Sequence, residues 1–282
     1  MAGLVGLAGV AAALLLIFAL GVGRASSRRG FEVVFIDVGQ GDAELISTGG
    51  EWMLIDAGRT GSVIIGRLRA LGVTHLDAVV ATHPDADHIG GLAAVLGAYG
   101  VEHVYVNGEA NNTDAYNAFL QAAAALRSAS INTLARGQSV FLGRQELDVL
   151  NASTGSDRAN DNSIVIRLAC GSVSVLFTGD AEAGAERAML DAGLATHVDV
   201  LKVGHHGSSA SSSLPFLEAV HPSVAVISAG RTNQYGHPAP EVLQRLESLG
   251  AQIVSTDTSN RDDSITMKSD CSTYSFSQAG GR

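Results

Sequence analysis

The chain has 282 residues, of which 46% are hydrophobic and 16% are charged, and its formal net charge at pH 7 is −10. This length allows one large domain or two small ones, and the apolar fraction is sufficient for a sizeable core. The acidic balance argues against nucleic-acid binding by a broad basic surface, but it is compatible with a local groove in which metal ions face phosphates.

The N-terminal segment from Ala2 to Gly23 contains no charged residue. At the rise of an α-helix it is just long enough to cross a bilayer, so we expect a membrane anchor over residues 2–23. A cleaved secretory signal with its apolar core at Leu14 to Leu20 is an alternative, although no Lys or Arg precedes the apolar run. A buried soluble helix is a weaker third interpretation. The arginines that follow the segment favour a cytoplasmic position for the rest of the chain.

The folded part begins near Gly30, and no composition shift divides it before Gln278. We therefore predict two regions, an N-terminal segment with its linker over residues 1–29 and one domain over residues 30–282.

The first predicted strands end in loops that combine carboxylates with glycines, which let a loop approach a ligand closely. The strand that starts at Phe31 leads into Asp37, Gln40 and Asp42, which either line a site or cap turns. The strand Glu51–Ile55 ends at Asp56, where a carboxylate can orient a metal-bound histidine through a hydrogen bond.

The next predicted strand runs into the loop His83-Pro84-Asp85-Ala86-Asp87-His88, and Gly-Gly follows before a helix. Alternate side chains share one face at a strand end, so His83 and Asp85 can point at one position, and the turn can direct Asp87 and His88 at a neighbouring one. Such a strand-to-helix loop predicts two metal ions a few ångströms apart. A solvated polar loop is the less favoured interpretation.

The segments that follow three later strands contain further candidate site residues. One ends in Thr-Gly followed by Asp180, and another ends in Gly204 followed by His205 and His206. We assign His205 to the second metal ion because it is nearer the strand, and leave His206 as a phosphate contact or surface residue together with Ser208. A later loop ends in His237, a candidate for contacting a phosphate or donating a proton.

Together these motifs resemble the metallo-β-lactamase superfamily, and over Phe31 to Phe276 the C-terminal hydrolase domain of ComEC-type competence proteins. The resemblance implies an α/β fold, the αββα sandwich, with two mixed sheets face to face and helices on the outer faces. The motifs that carry it are Asp37-Val38-Gly39-Gln40-Gly41-Asp42-Ala43, Leu54-Ile55-Asp56-Ala57-Gly58, Thr82-His83-Pro84-Asp85-Ala86-Asp87-His88-Ile89-Gly90-Gly91, Asp161-Asn162-Ser163, Phe177-Thr178-Gly179-Asp180, Lys202-Val203-Gly204-His205-His206-Gly207-Ser208 and Tyr235-Gly236-His237-Pro238.

The resemblance implies that Asp180 bridges two divalent metal ions, Zn²⁺ or Mn²⁺. The second ion would be held by Asp87, His88, Asp180 and His205. The first would be held by His83, Asp85 and Asp180, because no histidine lies between His103 and His197, where most members supply a further ligand. Unless Asn160, Asp161 or Asn162 contributes, this oxygen-rich first site favours harder ions and weaker occupancy.

The implied activity is metal-dependent hydrolysis of DNA, single-stranded or duplex, outside the membrane, by a monomer that needs no organic cofactor. The protein would be membrane-anchored or secreted, and with at most one span it is not itself a DNA channel. Asp87, His206 and His237 are the catalytic candidates, with Asn162 and Ser208 near the substrate. The alternatives are hydrolysis of another ester, such as a choline phosphoester, a lactam or a thioester, and a non-catalytic binding module.

Two cysteines, Cys170 and Cys271, are placed at predicted hairpin turns. They can form one disulfide in an exported domain or remain two free thiols. Four isolated histidines are expected to be structural or solvated: His75, His103, His197 and His221.

Overall fold

The computed structural model describes residues 30–127, 129–153, 155–256 and 262–279. The predicted anchor or signal segment, residues 2–23, lies outside these ranges. Among the helices of the described residues, none combines the length and the apolar character needed to span a bilayer.

The described residues form strands, α-helices and two 3₁₀ turns. The strands are β1 (Phe31–Phe35), β2 (Glu44–Thr48), β3 (Glu51–Ile55), β4 (Leu76–Ala81), β5 (Val101–Val106), β6 (Ser130–Thr133), β7 (Ser139–Leu142), β8 (Gln145–Asn151), β9 (Val165–Cys170), β10 (Val173–Phe177), β11 (Val200–Lys202), β12 (Val224–Ile227), β13 (Gln252–Ser255), β14 (Ile265–Ser269) and β15 (Tyr274–Gln278). The α-helices are α1 (Gly61–Ala70), α2 (Ala86–Ile89), α3 (Leu92–Ala98), α4 (Asp114–Ala125), α5 (Ala183–Asp191), α6 (Leu214–Val220) and α7 (Pro240–Ser248), and 3₁₀ turns occur at Ala159–Asn162 and Gly204–Gly207.

Within the described ranges the strands form two mixed sheets. The first has the order β15-β14-β1-β2-β3-β4-β5-β6, and the second has the order β13-β12-β11-β10-β9-β8-β7. Strands β3 to β6 run parallel to one another, as do β10 to β13, while the remaining neighbours are antiparallel. The carboxyl ends of the parallel strands are the usual position of a site in α/β proteins.

The two sheets pack face to face through a shared apolar core. The rings of Phe35 from the first sheet and Phe177 from the second lie 6.2 Å apart, measured between centroids. Helices α1, α3 and α4 cover the outer face of the first sheet, and α5, α6 and α7 cover that of the second. In α1 the buried Ile64 and Leu68 are four residues apart, the spacing that puts both on the core side. The predicted αββα sandwich is confirmed.

Several element boundaries differ from the prediction. Strand β6 was not predicted, because the exposed Ser130–Thr133 segment has no apolar alternation. The helix expected after the Gly-Gly pair is α3, but the short helix α2, within the loop that carries Asp87 and His88, was not predicted. Gly90 and Gly91 separate α2 from α3, and both pack against backbone carbonyl groups and have no room for a side chain.

Cys170 and Cys271 form a disulfide, with their Cα atoms 4.9 Å apart and a sequence separation of 101. The bond joins the end of β9, in the second sheet, to the turn between β14 and β15, in the first. Because β9 and β14 run antiparallel to β10 and β1, both cysteines lie at the edge opposite the carboxyl ends of those strands.

Candidate metal centre

The site is assembled by backbone hydrogen bonds between three loops of the first half of the chain. The Asp42 amide donates to the Asp87 carbonyl at 3.2 Å, and the Ala57 amide donates to the His88 carbonyl at 2.7 Å. The Gly58 amide donates to the Asp42 carbonyl at 2.8 Å. Gly41, with φ +137°, packs directly on the carbonyl group of Asp87, a position that a side chain cannot share. These contacts fix the loop that carries the predicted ligands.

Asp180 occupies the centre of the site, and its two oxygens face different imidazoles. Oδ1 lies 3.1 Å from His88 Nε2 and 3.7 Å from His206 Nε2. Oδ2 lies 3.8 Å from His83 Nε2 and 3.6 Å from His205 Nε2. A carboxylate with one oxygen toward each of two ligand pairs has the arrangement of a bridging ligand between two ions.

The remaining carboxylates of the central loop extend these two sets of atoms. Asp85 Oδ2 is 3.7 Å from His83 Nε2, and Asp87 Oδ2 is 3.6 Å from His206 Nε2. The described residues contain three overlapping groups whose ligand atoms are close enough to hold one ion: His83, His88 and Asp180; Asp87, His88 and His206; Asp42, Asp180 and His206.

The donor atoms fit a divalent cation. His83 Nε2, His88 Nε2, His206 Nε2 and Asp180 Oδ1 are all buried, and none makes a well-formed hydrogen bond. Buried polar atoms that converge without such bonds cost free energy, and ligation by a metal ion is one way to satisfy them. Imidazole and carboxylate ligands together suit Zn²⁺ and Mn²⁺.

The positions of the two adjacent histidines differ from the prediction. His206 faces Asp87 and His88, the place that the sequence analysis assigned to His205, while His205 lies on the His83 side of Asp180. The prediction assumed that the residue nearer the strand points into the second site. Both residues instead have left-handed backbone conformations, with φ of 49° and 56°, so the alternation of a strand does not apply. Two successive non-glycine residues in this conformation are strained, a feature that clusters at functional sites.

Asp56 contacts the ring nitrogen of His88 that faces away from Asp180. Its Oδ2 is 2.7 Å from His88 Nδ1, and its two oxygens also accept hydrogen bonds from the amide and the hydroxyl of Thr82, at 2.9 Å and 2.5 Å. Asp56 is itself left-handed, with φ 55°. A carboxylate on Nδ1 leaves Nε2 directed toward Asp180, the orientation that a ligand needs.

Asp42 holds His206 in the same way. Asp42 Oδ1 is 3.1 Å from His206 Nδ1, and the Ser228 carbonyl oxygen lies 3.0 Å from the same nitrogen. The other Asp42 oxygen accepts a hydrogen bond of 2.8 Å from the ammonium group of Lys202. Lys202 is completely buried, and no role was predicted for it although it interrupts an apolar strand.

Burial and neighbouring charges shift the titration of the cluster. Burial lowers the pKa of His206, but the carboxylates of Asp180 and Asp42 outweigh it and raise that pKa to about 10. Burial and the His88 cation lower the pKa of His83 to about 3. Burial raises the pKa of Asp180, but the surrounding imidazoles outweigh it and hold this pKa well below the ordinary value. The carboxylates that retain a proton on His206 would equally stabilise a metal cation.

His237 lies at the rim of this cluster. Its ring centroid is 5.5 Å from that of His205 and 6.3 Å from that of His206, and the exposed Tyr235 ring stacks on it at 5.7 Å. Burial, together with the proximity of His205 and His206, lowers the pKa of His237, which favours the neutral ring near pH 7. A neutral imidazole at the rim can donate one N–H to a substrate oxygen.

The other predicted residues lie around the cluster and have structural partners. Asp37 accepts from the Gly39 amide, and Gln40 Oε1 accepts from the Gly230 amide and so connects the two halves. Ser208 Oγ accepts from the Ala210 amide, and the Asn162 side chain is hydrogen-bonded to the backbone of Ser156.

One carboxylate near the site was missed. Glu182 Oε1 lies 3.2 Å from His205 Nδ1 and accepts a hydrogen bond from the Asn160 amide group, so it orients His205 as Asp56 orients His88. The sequence feature that could have identified Glu182 is its position two residues after Asp180, just beyond the end of a strand. Asp161, considered as a ligand, accepts instead from the Ala185 amide at the start of α5.

Comparison with curated proteins finds relatives named for competence and recombination. ComE operon protein 3 of Bacillus subtilis is 32% identical over 247 residues, which cover 80% of this chain and 32% of that protein. Recombination protein 2 of Haemophilus influenzae is 33% identical over 255 residues, 88% of this chain and 30% of that protein. Competence protein ComA of Neisseria gonorrhoeae is 32% identical over 79% of this chain. The chain spans about a third of the length of these relatives.

Solved structures show the same fold at low sequence identity. The metallo-beta-lactamase fold protein YhfI of Bacillus subtilis superposes with a TM-score of 0.58 at 13% identity, over 85% of this chain and all of that one. A diphosphatase from the PhnP family has a TM-score of 0.53 at 14% identity, over 79% of this chain and 94% of that one. The Metallo-beta-lactamase superfamily itself matches residues 36–231. The chain therefore belongs to the metallo-beta-lactamase superfamily.

Proposed function

We propose that this protein is a phosphodiesterase that hydrolyses DNA with two divalent metal ions, Zn²⁺ or Mn²⁺. The observation that carries the proposal is the position of Asp180, with each of its oxygens facing a separate pair of imidazoles. DNA is favoured as the substrate because the relatives are named for competence and recombination.

Each side of Asp180 offers ligands for one ion. On one side are His83, Asp85 and His205, so that His205 supplies the nitrogen that the sequence analysis found missing from the first site. On the other side are Asp87, His88 and His206. The first set is the more open one, because the side chain of Asp85 is 45% exposed, and we expect it to bind its ion more weakly.

Two cations held by these residues would supply a hydroxide nucleophile near neutral pH and neutralise charge on the phosphate. The protein itself orients the ligands through Asp56, Asp42 and Glu182. His237 donates a hydrogen bond to a phosphate oxygen from the rim.

Two arginines flank the centre on opposite sides. Arg59 Nη2 is 3.7 Å from Asp87 Oδ1, and Arg158 Nη1 is 3.7 Å from Glu182 Oε2. Their side chains are 54% and 74% exposed, so both guanidinium groups can reach phosphates of neighbouring nucleotides. Contacts at two flanking phosphates favour a polynucleotide over a small ester.

The disulfide supports an extracytoplasmic position, as the sequence analysis predicted, because disulfides persist in oxidising compartments. We propose this location for the domain. The membrane or signal role of residues 2–23 stays a prediction.

The proposal is tested with labelled single- and double-stranded DNA and the full-length protein, stripped of metal and then given Mn²⁺ or Zn²⁺. We expect restored cleavage, and a loss of more than about a hundredfold in Asp87→Ala. Asp191→Ala, an exposed carboxylate on α5, is the matched control and keeps full activity. Absence of cleavage with either ion would contradict the proposal.

Metal binding is measured separately from activity. Calorimetric titration with Mn²⁺ should show a tighter and a weaker site. His205→Ala should abolish the weaker one, whereas Asp87→Ala should abolish the tighter one. Loss of the tighter site in His205→Ala would refute the ligand assignment.

A further inference from the structure

A cavity of about 220 Å³ opens beside His83, and the proposed hydrolysis does not use it. It lies at the carboxyl ends of β4, β5 and β6 and is closed on the outside by one face of α4. Its lining includes the side chains of His83, Asn107, Tyr116, Phe119, Leu120 and Ile131. We propose that this cavity binds the nucleobase next to the phosphodiester bond that is cleaved, an inference that rests on the proposed function.

The cavity adjoins the candidate metal centre through one shared residue. His83 and Pro84 form part of the cavity wall, and the Nε2 atom of the same His83 faces Asp180. A group bound in the cavity would therefore be separated by His83 from the atoms that would hold the phosphate. A nucleotide whose phosphate lies at Asp180 can reach the cavity through its own sugar.

The lining suits a flat apolar ring. Leu120 is 43% exposed and Ile131 is 51% exposed, although both are large aliphatic side chains. Phe119 is buried and Tyr116 is half-buried. Apolar and aromatic surfaces bind bases by their faces, and the volume accommodates one ring system.

The polar rim is held in place by its own hydrogen bonds. The buried Asn107 donates from Nδ2 to the Asn162 carbonyl at 3.1 Å and accepts at Oδ1 from the Glu109 amide at 3.0 Å. Glu109 Oε1 accepts from the Ser153 hydroxyl at 2.7 Å. Because these groups already have partners, the cavity binds by stacking and apolar contact, and we expect it to accept any base.

A choline headgroup fits the cavity less well. Quaternary ammonium groups are bound by cages of several aromatic faces, whereas Phe119 is buried here and Tyr116 offers one partly exposed aromatic face, which suits a single stacked ring.

The test compares bonds within one DNA strand, using full-length protein with Mn²⁺. The labelled single strand contains one central abasic residue, and cleavage is measured at every linkage. We expect one of the two linkages beside the abasic residue to be cut about tenfold more slowly than the others, which is the effect of losing one stacked base. This arm needs no variant, so folding does not affect it.

The second arm fills the cavity with Leu120→Trp. Linkages between normal nucleotides should be cut about tenfold more slowly, while the slow linkage beside the abasic residue should not slow further. Leu71→Trp is the matched control, because Leu71 is 37% exposed and follows α1 at the opposite edge of the sheet. Its cleavage pattern should equal that of the unaltered protein.

Uniform cleavage across the abasic residue would overturn the inference and leave the proposed function standing. A Leu120→Trp effect on p-nitrophenyl phosphocholine but not on DNA would overturn it in favour of a choline site. Absence of any DNA cleavage by the unaltered protein would overturn the proposed function and this inference with it.

Discussion

The ammonium group of Lys202 is completely buried and donates to Asp42 at 2.8 Å. We expect Lys202→Met to lower the free energy of unfolding by about 3–5 kcal/mol, because it leaves the buried Asp42 carboxylate without its main counter-charge. Chemical denaturation of the metal-free protein measures this. The double variant Lys202→Met/Asp42→Asn should recover part of the loss, and a double variant as unstable as the sum of its single variants would contradict the pairing.

Metal binding should depend on pH through His206. Burial lowers its pKa, but Asp180 and Asp42 outweigh burial and raise the pKa to about 10, so the metal-free protein holds a proton on this ring at neutral pH. A metal ligand must be a neutral imidazole, so binding displaces that proton. The apparent Mn²⁺ affinity should therefore rise as the pH is raised toward about 10. It should fall as the pH is lowered, because protons then compete with the metal ion for His206.

Calorimetry in two buffers that differ in ionisation enthalpy detects the released proton. Equal binding heats in both buffers, together with a pH-independent affinity, would exclude this linkage. His75→Ala, which alters an exposed histidine outside the cluster, should leave the pH dependence unchanged.

The place of a candidate site residue was predictable from the sequence where a ligand-type side chain stands at the end of a predicted strand. The position of Asp56 at a strand end, and the position of the candidate ligands from His83 to His88 in a strand-to-helix loop, follow from the pattern of the sequence. The exchange of His205 and His206 was not predictable, because it follows from a left-handed turn. The role of Glu182 depends on the tertiary position of His205, which the sequence pattern does not contain.

At the scale of elements, the site depends on how closely the loops after β1 and β4 approach each other. Gly41 packs on the Asp87 carbonyl group and has φ +137°. We expect Gly41→Ala to destabilise the protein by about 1–3 kcal/mol and to weaken Mn²⁺ binding about tenfold, since the added methyl group pushes the two loops apart. Thermal unfolding and metal titration measure the two effects.

Gly50→Ala is the matched control for the backbone strain. Gly50 also has a positive φ, +97°, but a side chain there would meet nothing within 4 Å. The Gly50→Ala variant should lose stability through backbone strain alone and keep its metal affinity. An equal loss of metal affinity in both variants would show that the contact with Asp87 is not what matters.

The order of strands and helices was largely predictable, because buried strands are apolar runs that end in glycine-rich loops. The elements that differ are those whose local sequence lacks such a pattern. Exposed β6 pairs with β5 by backbone hydrogen bonds, which any sequence can make. The break between α2 and α3 comes from tertiary packing on Gly90 and Gly91.

For the whole molecule, the disulfide between Cys170 and Cys271 and the proposed metal centre lie at opposite edges of the two sheets. The proposed metal ligands come from both sheets, from the loops after β4 and after β10 and β11. Removing the disulfide should therefore lower the stability of the fold, whereas removing the ligands should lower metal affinity.

We expect Cys170→Ser/Cys271→Ser to lower the free energy of unfolding by about 4–5 kcal/mol, because the bond closes a long loop, with a sequence separation of 101, and restricts the unfolded chain. Mn²⁺ affinity and DNA cleavage, measured where the variant is folded, should equal those of the unaltered protein. Reduction of the unaltered protein with dithiothreitol should reproduce the loss of stability. Weaker metal binding at undiminished stability would instead mean that the disulfide positions the ligands across the molecule, because the two sheets would then be free to shift at the metal-binding edge.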